Sequence, residues 1–360
     1  MAIQDLRNMK TICLTLDYEL YGNGSGDVFK NIIEPTNHIL SILHQYNIHL
    51  SIFLEVVEYW KLKEEWDRGN KMGYKNNPVE AINDQLGKAY ADGHDIQLHI
   101  HPQWVDAKYI DGKWHVNLNE WRLGSYHREG ENSLKNLLLK GKQTIEDIIR
   151  PIDPEYKCIA LRAGGYNAQP SQDIVRAMNE VGLTVDSSIY PGGKESGILS
   201  NYDYSRISPE CGFWHVGKHL EEQGSSQIIE VPITAFPIKR FSKYLSASRI
   251  KAILANKNSA KESFESKTSR GKSGLLHKLK YFFETEWQTW DFCLFPARMH
   301  KKFITNIRKQ TNRDLYVLVG HPKSFTGPES LEYLLQKICF SYKFFTISEF
   351  AKILEVHNED

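Results

Sequence analysis

A chain of 360 residues, 41% of them hydrophobic and 25% charged, can bury a large core, which excludes a disordered or fibrous protein. The formal net charge of +1 gives no general attraction to nucleic acid, and no nucleic-acid partner is predicted. No segment has the apolar core of a signal peptide or the length of a membrane span, so we expect a cytoplasmic protein.

Apolar runs and amphipathic segments alternate along the chain. The predicted strands follow the apolar runs, at residues 11–16, 49–54, 95–101, 158–162, 183–188, 228–231 and 315–319. The predicted helices have apolar residues at helical spacing and cover residues 32–46, 78–91, 133–149 and 171–181, with a last one after Ser348. This alternation predicts a parallel α/β sheet or barrel with its site at the strand ends.

Ligand-type side chains lie at the ends of two predicted strands. Asp17 and Glu19 end the first run, and His99 and His101 end the third. Because side chains alternate along a strand, each pair projects to one side. Two imidazoles and one carboxylate suit a divalent cation such as zinc, iron, cobalt or nickel, and a second carboxylate can act as a base.

Two more residues complete the hypothesis of a metal-dependent hydrolase. His321 directly follows the strand at 315–319 and is the candidate proton donor, while Arg162 could keep a carboxylate base ionised. Each residue also has a structural alternative, such as capping of the next loop by Asp17 and Glu19. Their order along the chain favours the functional interpretation.

A basic segment interrupts the alternation. Residues 239–280 contain twelve Lys or Arg against two acids, and their middle is rich in Ser, Lys and Gly, which predicts a mobile surface insertion. Residues 275–290 are aromatic and amphipathic. One interpretation is a solvated loop and a helix that packs on the body. The other is a surface for anionic lipid head groups or a phosphate-bearing carrier.

The order of these motifs resembles the polysaccharide deacetylases, the NodB-type carbohydrate esterase family 4. The segments that carry the resemblance are residues 14–19, 93–99, 161–166, 185–191 and 318–321. The resemblance implies a distorted (β/α) barrel in one domain over residues 1–360. An insertion without a recognised counterpart, at about 195–300, includes the basic segment.

The resemblance also implies a role for each matching residue. The implied roles are general base for Asp17, carboxylate ligand for Glu19, first metal ligand for His99, holder of Asp17 for Arg162, general acid for His321, and oxyanion binding by the backbone N–H near Tyr166. Asp186, in the segment 185–191 that carries part of the resemblance, is assigned to substrate binding.

Two departures from the family pattern bear on the metal site. The usual adjacent acid pair is here Asp-Tyr-Glu, which leaves the base and ligand roles of Asp17 and Glu19 open to exchange. The usual second metal histidine comes four residues after the first, where this chain has Gln103, so His101 must take its place. Trp104 follows closely and could stack on a sugar ring or cover the core.

The resemblance implies removal of an N-acetyl or related acyl group from a sugar, with zinc as the expected cation and cobalt, nickel or iron as alternatives. We expect a nucleotide- or lipid-linked precursor of a surface polysaccharide as substrate, with residues 239–280 contacting a pyrophosphate carrier or the inner membrane face. Two alternatives stay open, a hydrolase of another C–N amide bond and a non-catalytic saccharide-binding protein.

Overall fold

The computed structural model describes residues 10–239 and 285–358. The helices are α1 (Glu34–Gln45), α2 (Val56–Asp67), α3 (Pro78–Ala91), α4 (Leu134–Ile149), α5 (Gln172–Val181), α6 (Ala297–Lys309), α7 (Pro328–Ile338) and α8 (Ile347–Asn358). The strands are β1 (Thr11–Tyr18), β2 (Ser51–Glu55), β3 (Asp95–Ile100), β4 (Lys108–Ile110), β5 (Lys113–His115), β6 (Ala160–Ala163), β7 (Val185–Asp186), β8 (Lys194–Ser196), β9 (Asn201–Asp203), β10 (Trp214–His215), β11 (Ile229–Glu230), β12 (Ala235–Lys239), β13 (Thr285–Thr289), β14 (Leu315–Gly320) and β15 (Lys343–Phe344).

The main sheet runs in the order β10-β11-β7-β6-β3-β2-β1-β14, and β15 also pairs with β1. Neighbouring strands are parallel apart from β10 and β11. The central strands β1, β2 and β3 are buried over their whole length. Strands covered on both faces need apolar side chains on both, which explains why their sequences read as continuous apolar runs.

The sheet closes on itself beyond β11. Ile233 forms a parallel bridge with Val317 of β14, and the N–H of Thr234 donates to the carbonyl of Val317 at 2.8 Å. The chain that leaves β11 therefore contacts both edges of the parallel sheet, β7 on one side and β14 on the other. The result is a distorted α/β barrel, and the predicted fold class is confirmed.

Helix α2 is absent from the sequence prediction because no turn separates it from β2. Glu55 is the last residue of β2, and its side chain also accepts the backbone N–H groups of Val57 and Glu58 as the N-cap of α2. A carboxylate at this position satisfies helix N–H groups that have no partner inside the helix. The strand therefore passes directly into the helix.

The basic segment lies outside the described residues except for Lys239 at the end of β12. The predicted amphipathic helix within residues 275–290 is wrong for its described part, since Thr285–Thr289 is strand β13 and pairs antiparallel with β12. The single-domain boundaries stay a prediction. Over the described ranges, no helix combines the length and the apolar character needed to cross a bilayer.

Candidate active site

The carboxyl ends of β1 and β3 lie on either side of β2 and bring the predicted acid and histidine pairs together. Oε2 of Glu19 is 2.8 Å from Nε2 of His101 and 3.6 Å from Nε2 of His99. Ligand atoms of these three buried residues all lie within 4.8 Å of one another. The two-residue spacing of each pair thus places its members at one site, as strand geometry predicts.

The two imidazoles present nitrogen atoms that suit a divalent cation. Nδ1 of His99 lies 2.9 Å from the carbonyl oxygen of Arg162, so this nitrogen carries the proton and Nε2 keeps its lone pair. Within the described part of the chain, Nε2 of His99 and Nε2 of His101 are buried without a hydrogen-bond partner of acceptable geometry. Together with Glu19, they fit the two-imidazole, one-carboxylate set of a zinc-type site.

The side chain of Gln103 contacts His101 at Nδ1, the ring nitrogen that does not face Glu19. Its amide Nε2 lies 2.9 Å from Nδ1 of His101 and also donates to the carbonyl of Gly22 at 3.3 Å. Among the residues that the structure describes, its buried Oε1 has no partner. Gln103 is therefore a neighbour of one presumed ligand and does not join the cluster itself.

Asp17 is bound by Arg162 beneath this cluster. Nη1 of Arg162 donates to Oδ1 of Asp17 at 2.6 Å and to Oγ1 of Thr15 at 2.9 Å, while Nε and Nη2 donate to Ser187. Burial favours the neutral form of Asp17, but the charge of Arg162, together with that of His321, outweighs it and holds the pKa of Asp17 below its usual value. The carboxylate is ionised and fixed in orientation.

His321 enters from the end of β14, the neighbour of β1. Its Nε2 is 3.5 Å from Oδ2 of Asp17, and its Nδ1 is 2.9 Å from Oδ2 of Asp291. Burial lowers the pKa of His321, but the hydrogen bond and charge of Asp291 outweigh this and raise it. The backbone N–H groups of Cys293 and Leu294 orient Asp291 by donating to its other oxygen.

Lys323 and Asp291 are absent from the sequence prediction. Nζ of Lys323 lies 2.9 Å from Oε1 of Glu19, on the oxygen that faces away from His101. Burial raises the pKa of Glu19, yet Lys323 and His101 together hold it well below its usual value. Lys323 could have been found in the sequence, because it lies two residues after His321. Asp291 follows β13, and the sequence around it has no recognisable pattern.

The turn after β6 packs against the ring of His101. A Cβ on Gly164 would lie 2.4 Å from the ring of His101, so only glycine fits there. Gly165 and Tyr166 both have positive φ angles, of 57° and 62°, which turn the chain across the site. Tyr166 thus lies near Asp17, whose charge adds to burial in raising the pKa of the phenol.

Neither residue predicted to bind substrate is accessible. Trp104 is 1% exposed and packs edge-on against Trp114, so it covers the core. Asp186 is fully buried, accepts the N–H and hydroxyl of Ser188, and pairs in register with Glu230. Burial raises the pKa of Asp186. Both side chains are buried in this structure, and their assignment to substrate binding stays a prediction.

The tryptophan beside the cluster is Trp121. Its ring centroid is 5.7 Å from that of His101, and its ring packs where a side chain on Gly22 would clash. The indole Nε1 is buried, and no acceptor for it exists among residues 10–239 and 285–358. Trp121 therefore offers an aromatic face and an unused donor next to the presumed cation site.

No protein-family model and no curated protein matches the sequence. Solved structures similar to it include a protein assigned as a polysaccharide deacetylase from Mycobacterium smegmatis, at 11% identity and a TM-score of 0.45, covering 97% of this chain and 91% of that one. A PuuE allantoinase matches at 10% identity and 0.44, covering 95% and 89%. A carbohydrate esterase family 4 pseudoenzyme from Bacillus anthracis matches at 11% and 0.39, covering 96% and 66%.

These structures include members of the family that the sequence motifs resemble.

Proposed function

We propose that the chain is a metal-dependent hydrolase that removes an N-acetyl or related acyl group from a sugar. The proposal rests on one observation, which is that three groups of residues meet at one place. They are the Asp17–Arg162 pair, the cluster of Glu19, His99 and His101, and the imidazole Nε2 of His321. Hydrolysis of an amide needs a base, an electrophile and a proton donor within reach of one carbonyl group. A binding module has no need of this set.

Glu19, His99 and His101 would hold the cation, with zinc favoured by this ligand set and cobalt, nickel or iron as alternatives. When bound, the cation would supply Lewis acidity toward the acyl carbonyl and an attacking water. The contacts of the two acids support one assignment of roles. Glu19 faces both imidazoles, whereas Asp17 is occupied by Arg162, so we assign Glu19 as ligand and Asp17 as base.

In this assignment Asp17 accepts a proton from the attacking water, and Arg162 keeps the carboxylate ionised and in position. His321 donates a proton from Nε2 to the leaving nitrogen, while Asp291 holds the proton on Nδ1. The raised pKa of His321 suits a proton donor at neutral pH. The backbone N–H near Tyr166 would bind the oxyanion, and Trp121 would contact the sugar ring.

The finer substrate assignment is a nucleotide- or lipid-linked precursor of a surface polysaccharide, handled in the cytoplasm or at the inner membrane face. It rests on the charge of residues 239–280 alone. Deletion of residues 240–280 tests it, with binding to vesicles containing anionic lipid and turnover of nucleotide-linked sugars as the measurements. Unchanged binding and turnover would contradict this part of the proposal.

Metal content is the first test. We expect the purified chain to carry near-stoichiometric metal by mass spectrometry and the variant with both His99→Ala and His101→Ala to carry none. His38→Ala, which changes an exposed histidine on α1, is the matched control and should keep its metal. A folded chain that cannot be loaded with zinc, cobalt or nickel would contradict the proposal.

Released acid is the second measurement, with acylated sugars tested against linear and cyclic amides. Release of acetate from sugars, lost in Asp17→Asn, supports deacetylation. Turnover of the small amides alone would indicate the other C–N hydrolase. Saccharide binding without any release would indicate a non-catalytic protein.

A further inference from the structure

Lys323 places a positive charge on the carboxylate that is expected to bind the cation. It lies in the short helical turn Pro322–Ser324 that follows His321, and its side chain is 11% exposed. Nζ donates to the carbonyl of Leu20 at 2.6 Å and lies 2.9 Å from Oε1 of Glu19. No step of the proposed reaction uses this ammonium group, although it contacts the presumed ligand directly.

The two oxygens of Glu19 have different neighbours. Oε2 faces the imidazoles of His101 and His99, at 2.8 and 3.6 Å. Oε1 lies 2.9 Å from the ammonium of Lys323 and 3.8 Å from Nε2 of His321. A carboxylate can bind a cation through one oxygen or through both. An ammonium held on Oε1 leaves only Oε2 for the cation, so a second oxygen does not fill a position that water or substrate needs.

The charges around Glu19 also indicate that Lys323 affects cation binding. Asp17 is neutralised by Arg162, and Lys323 neutralises Glu19, the one charged residue of the presumed ligand set. A divalent cation therefore approaches an arrangement of these four groups that has no net charge. Replacing Lys323 with an uncharged residue would leave one net negative charge and strengthen cation binding, because charges interact strongly in a buried site.

We propose that Lys323 is a positioning residue that restricts Glu19 to one-oxygen binding and weakens cation affinity, keeping a coordination position open for the reacting groups. This inference rests on the proposed function, since it takes Glu19, His99 and His101 as the cation site. It concerns how the site is adjusted and does not make Lys323 a catalytic residue.

The experiment compares the full-length protein with Lys323→Met, which keeps length but not charge, and Lys323→Arg, which keeps charge. Metal is removed with a chelator, and zinc affinity is measured by competition with a chromophoric chelator. The visible spectrum after loading with cobalt reports coordination number, since added ligands weaken the absorption of a four-coordinate site. Circular dichroism establishes that each variant is folded, and Lys323→Gln replaces Lys323→Met if that variant does not fold.

We expect Lys323→Met to bind zinc about tenfold more tightly than the unsubstituted protein and to show weaker cobalt absorption. Lys323→Arg should keep the affinity and spectrum of the unsubstituted protein. Equal affinities and spectra in the unsubstituted protein and Lys323→Met would overturn it while leaving the metal site intact. If none of these folded proteins binds metal, the inference and the metal-dependent function both fail.

Discussion

Gln103 occupies the position at which the family that this sequence resembles has its second metal histidine. Its amide nitrogen donates toward Nδ1 of His101, which leaves the proton of that imidazole on Nε2, facing Glu19 at 2.8 Å. Binding of a cation through Nε2 requires the opposite tautomer. Rotation of the amide would bring its unpartnered Oε1 against Nδ1–H of His101 and stabilise that tautomer.

Gln103→Leu should therefore weaken metal binding by about 10- to 100-fold, the usual effect of losing a hydrogen bond to a ligand imidazole. Zinc affinity by chelator competition is the measurement. Gln143→Leu, which changes an exposed glutamine on α4, is the control and should have no effect. If Gln103→Leu keeps the zinc affinity of the unsubstituted chain, Gln103 does not orient His101.

Asp291 determines the protonation of the presumed acid. Its hydrogen bond and charge raise the pKa of His321, so that the imidazole stays protonated to higher pH than burial alone would allow. Asp291→Asn should lower that pKa. The loss of activity at basic pH should therefore begin at a lower pH in the variant than in the unsubstituted protein. The pH profile of kcat is the measurement, because a general acid works only while protonated.

His321→Gln provides the comparison, and it should cost about 10²- to 10⁴-fold in rate by removing the proton donor altogether. Asp291→Asn should reduce the rate less than His321→Gln does. A reduced rate in Asp291→Asn with the pH profile unmoved would argue that Asp291 only orients the loop before α6.

At the scale of elements, strand ends could be predicted well from local pattern. The apolar runs of β1 and β3 are buried along their length, and their alternation fixes which polar residues share a side. Helices α2, α6 and α7 and the exposed hairpins escaped prediction. Strands such as β4 and β8 have three residues each, too few for a periodic signal.

The first turn of α2 introduces a buried carboxyl group beside the site. Oε2 of Glu58 accepts the backbone N–H of Leu20 at 2.9 Å, and burial raises the pKa of Glu58 to about 8. This value lies above that of the unfolded chain, near 4.5. The stability that Glu58 contributes is therefore fully present below about pH 4.5 and is lost as pH rises through about 8.

Glu58→Gln keeps an acceptor for Leu20 but removes the ionisation. We expect urea unfolding between pH 5 and 9 to show the variant gaining stability relative to the unsubstituted chain as pH rises. The slope approaches about 1.4 kcal/mol per pH unit between the two pKa values. Glu34→Gln, on the exposed start of α1, is the control, and its free energy of unfolding should change with pH as that of the unsubstituted chain does. If the free energy of unfolding of Glu58→Gln also changes with pH as that of the unsubstituted chain does, the carboxyl group of Glu58 is either ionised or not buried at all these pH values.

At the scale of the molecule, the parts of the site that sequence could not predict are those that barrel closure brings in. His321 is next to Asp17 because β14 pairs with β1, and Asp291 reaches His321 because it forms a bridge with Val319 of β14. Asp17 and Asp291 are far apart in the chain, and no local pattern encodes such contacts. The motif order predicted the barrel, but not which residue of the insertion would return to the site.

One buried arginine forms hydrogen bonds to three of the segments that meet where the barrel closes. Arg313, just before β14, donates to the carbonyls of Leu315 at 2.7 Å and Pro209 at 2.9 Å, and to Oγ1 of Thr234 at 3.2 Å. These acceptors belong to β14, to the loop before β10 and to the segment between β11 and β12, which pairs with β14. Burial lowers the pKa of Arg313 to about 10, so the guanidinium is still charged at neutral pH.

Arg313→Met should therefore lower the free energy of unfolding by about 3 to 5 kcal/mol, because it leaves several buried acceptors without donors where they are inaccessible to water. Denaturant unfolding at pH 7 is the measurement. Arg206→Met, at an exposed arginine before β10, is the control with an expected change within about 0.5 kcal/mol. Weaker closure should also release β14 from the segment at Thr234, so hydrogen exchange at Val317 should accelerate in Arg313→Met beyond what the global loss of stability explains. If the stability loss is below about 1 kcal/mol and Val317 remains protected, backbone pairing alone closes the barrel.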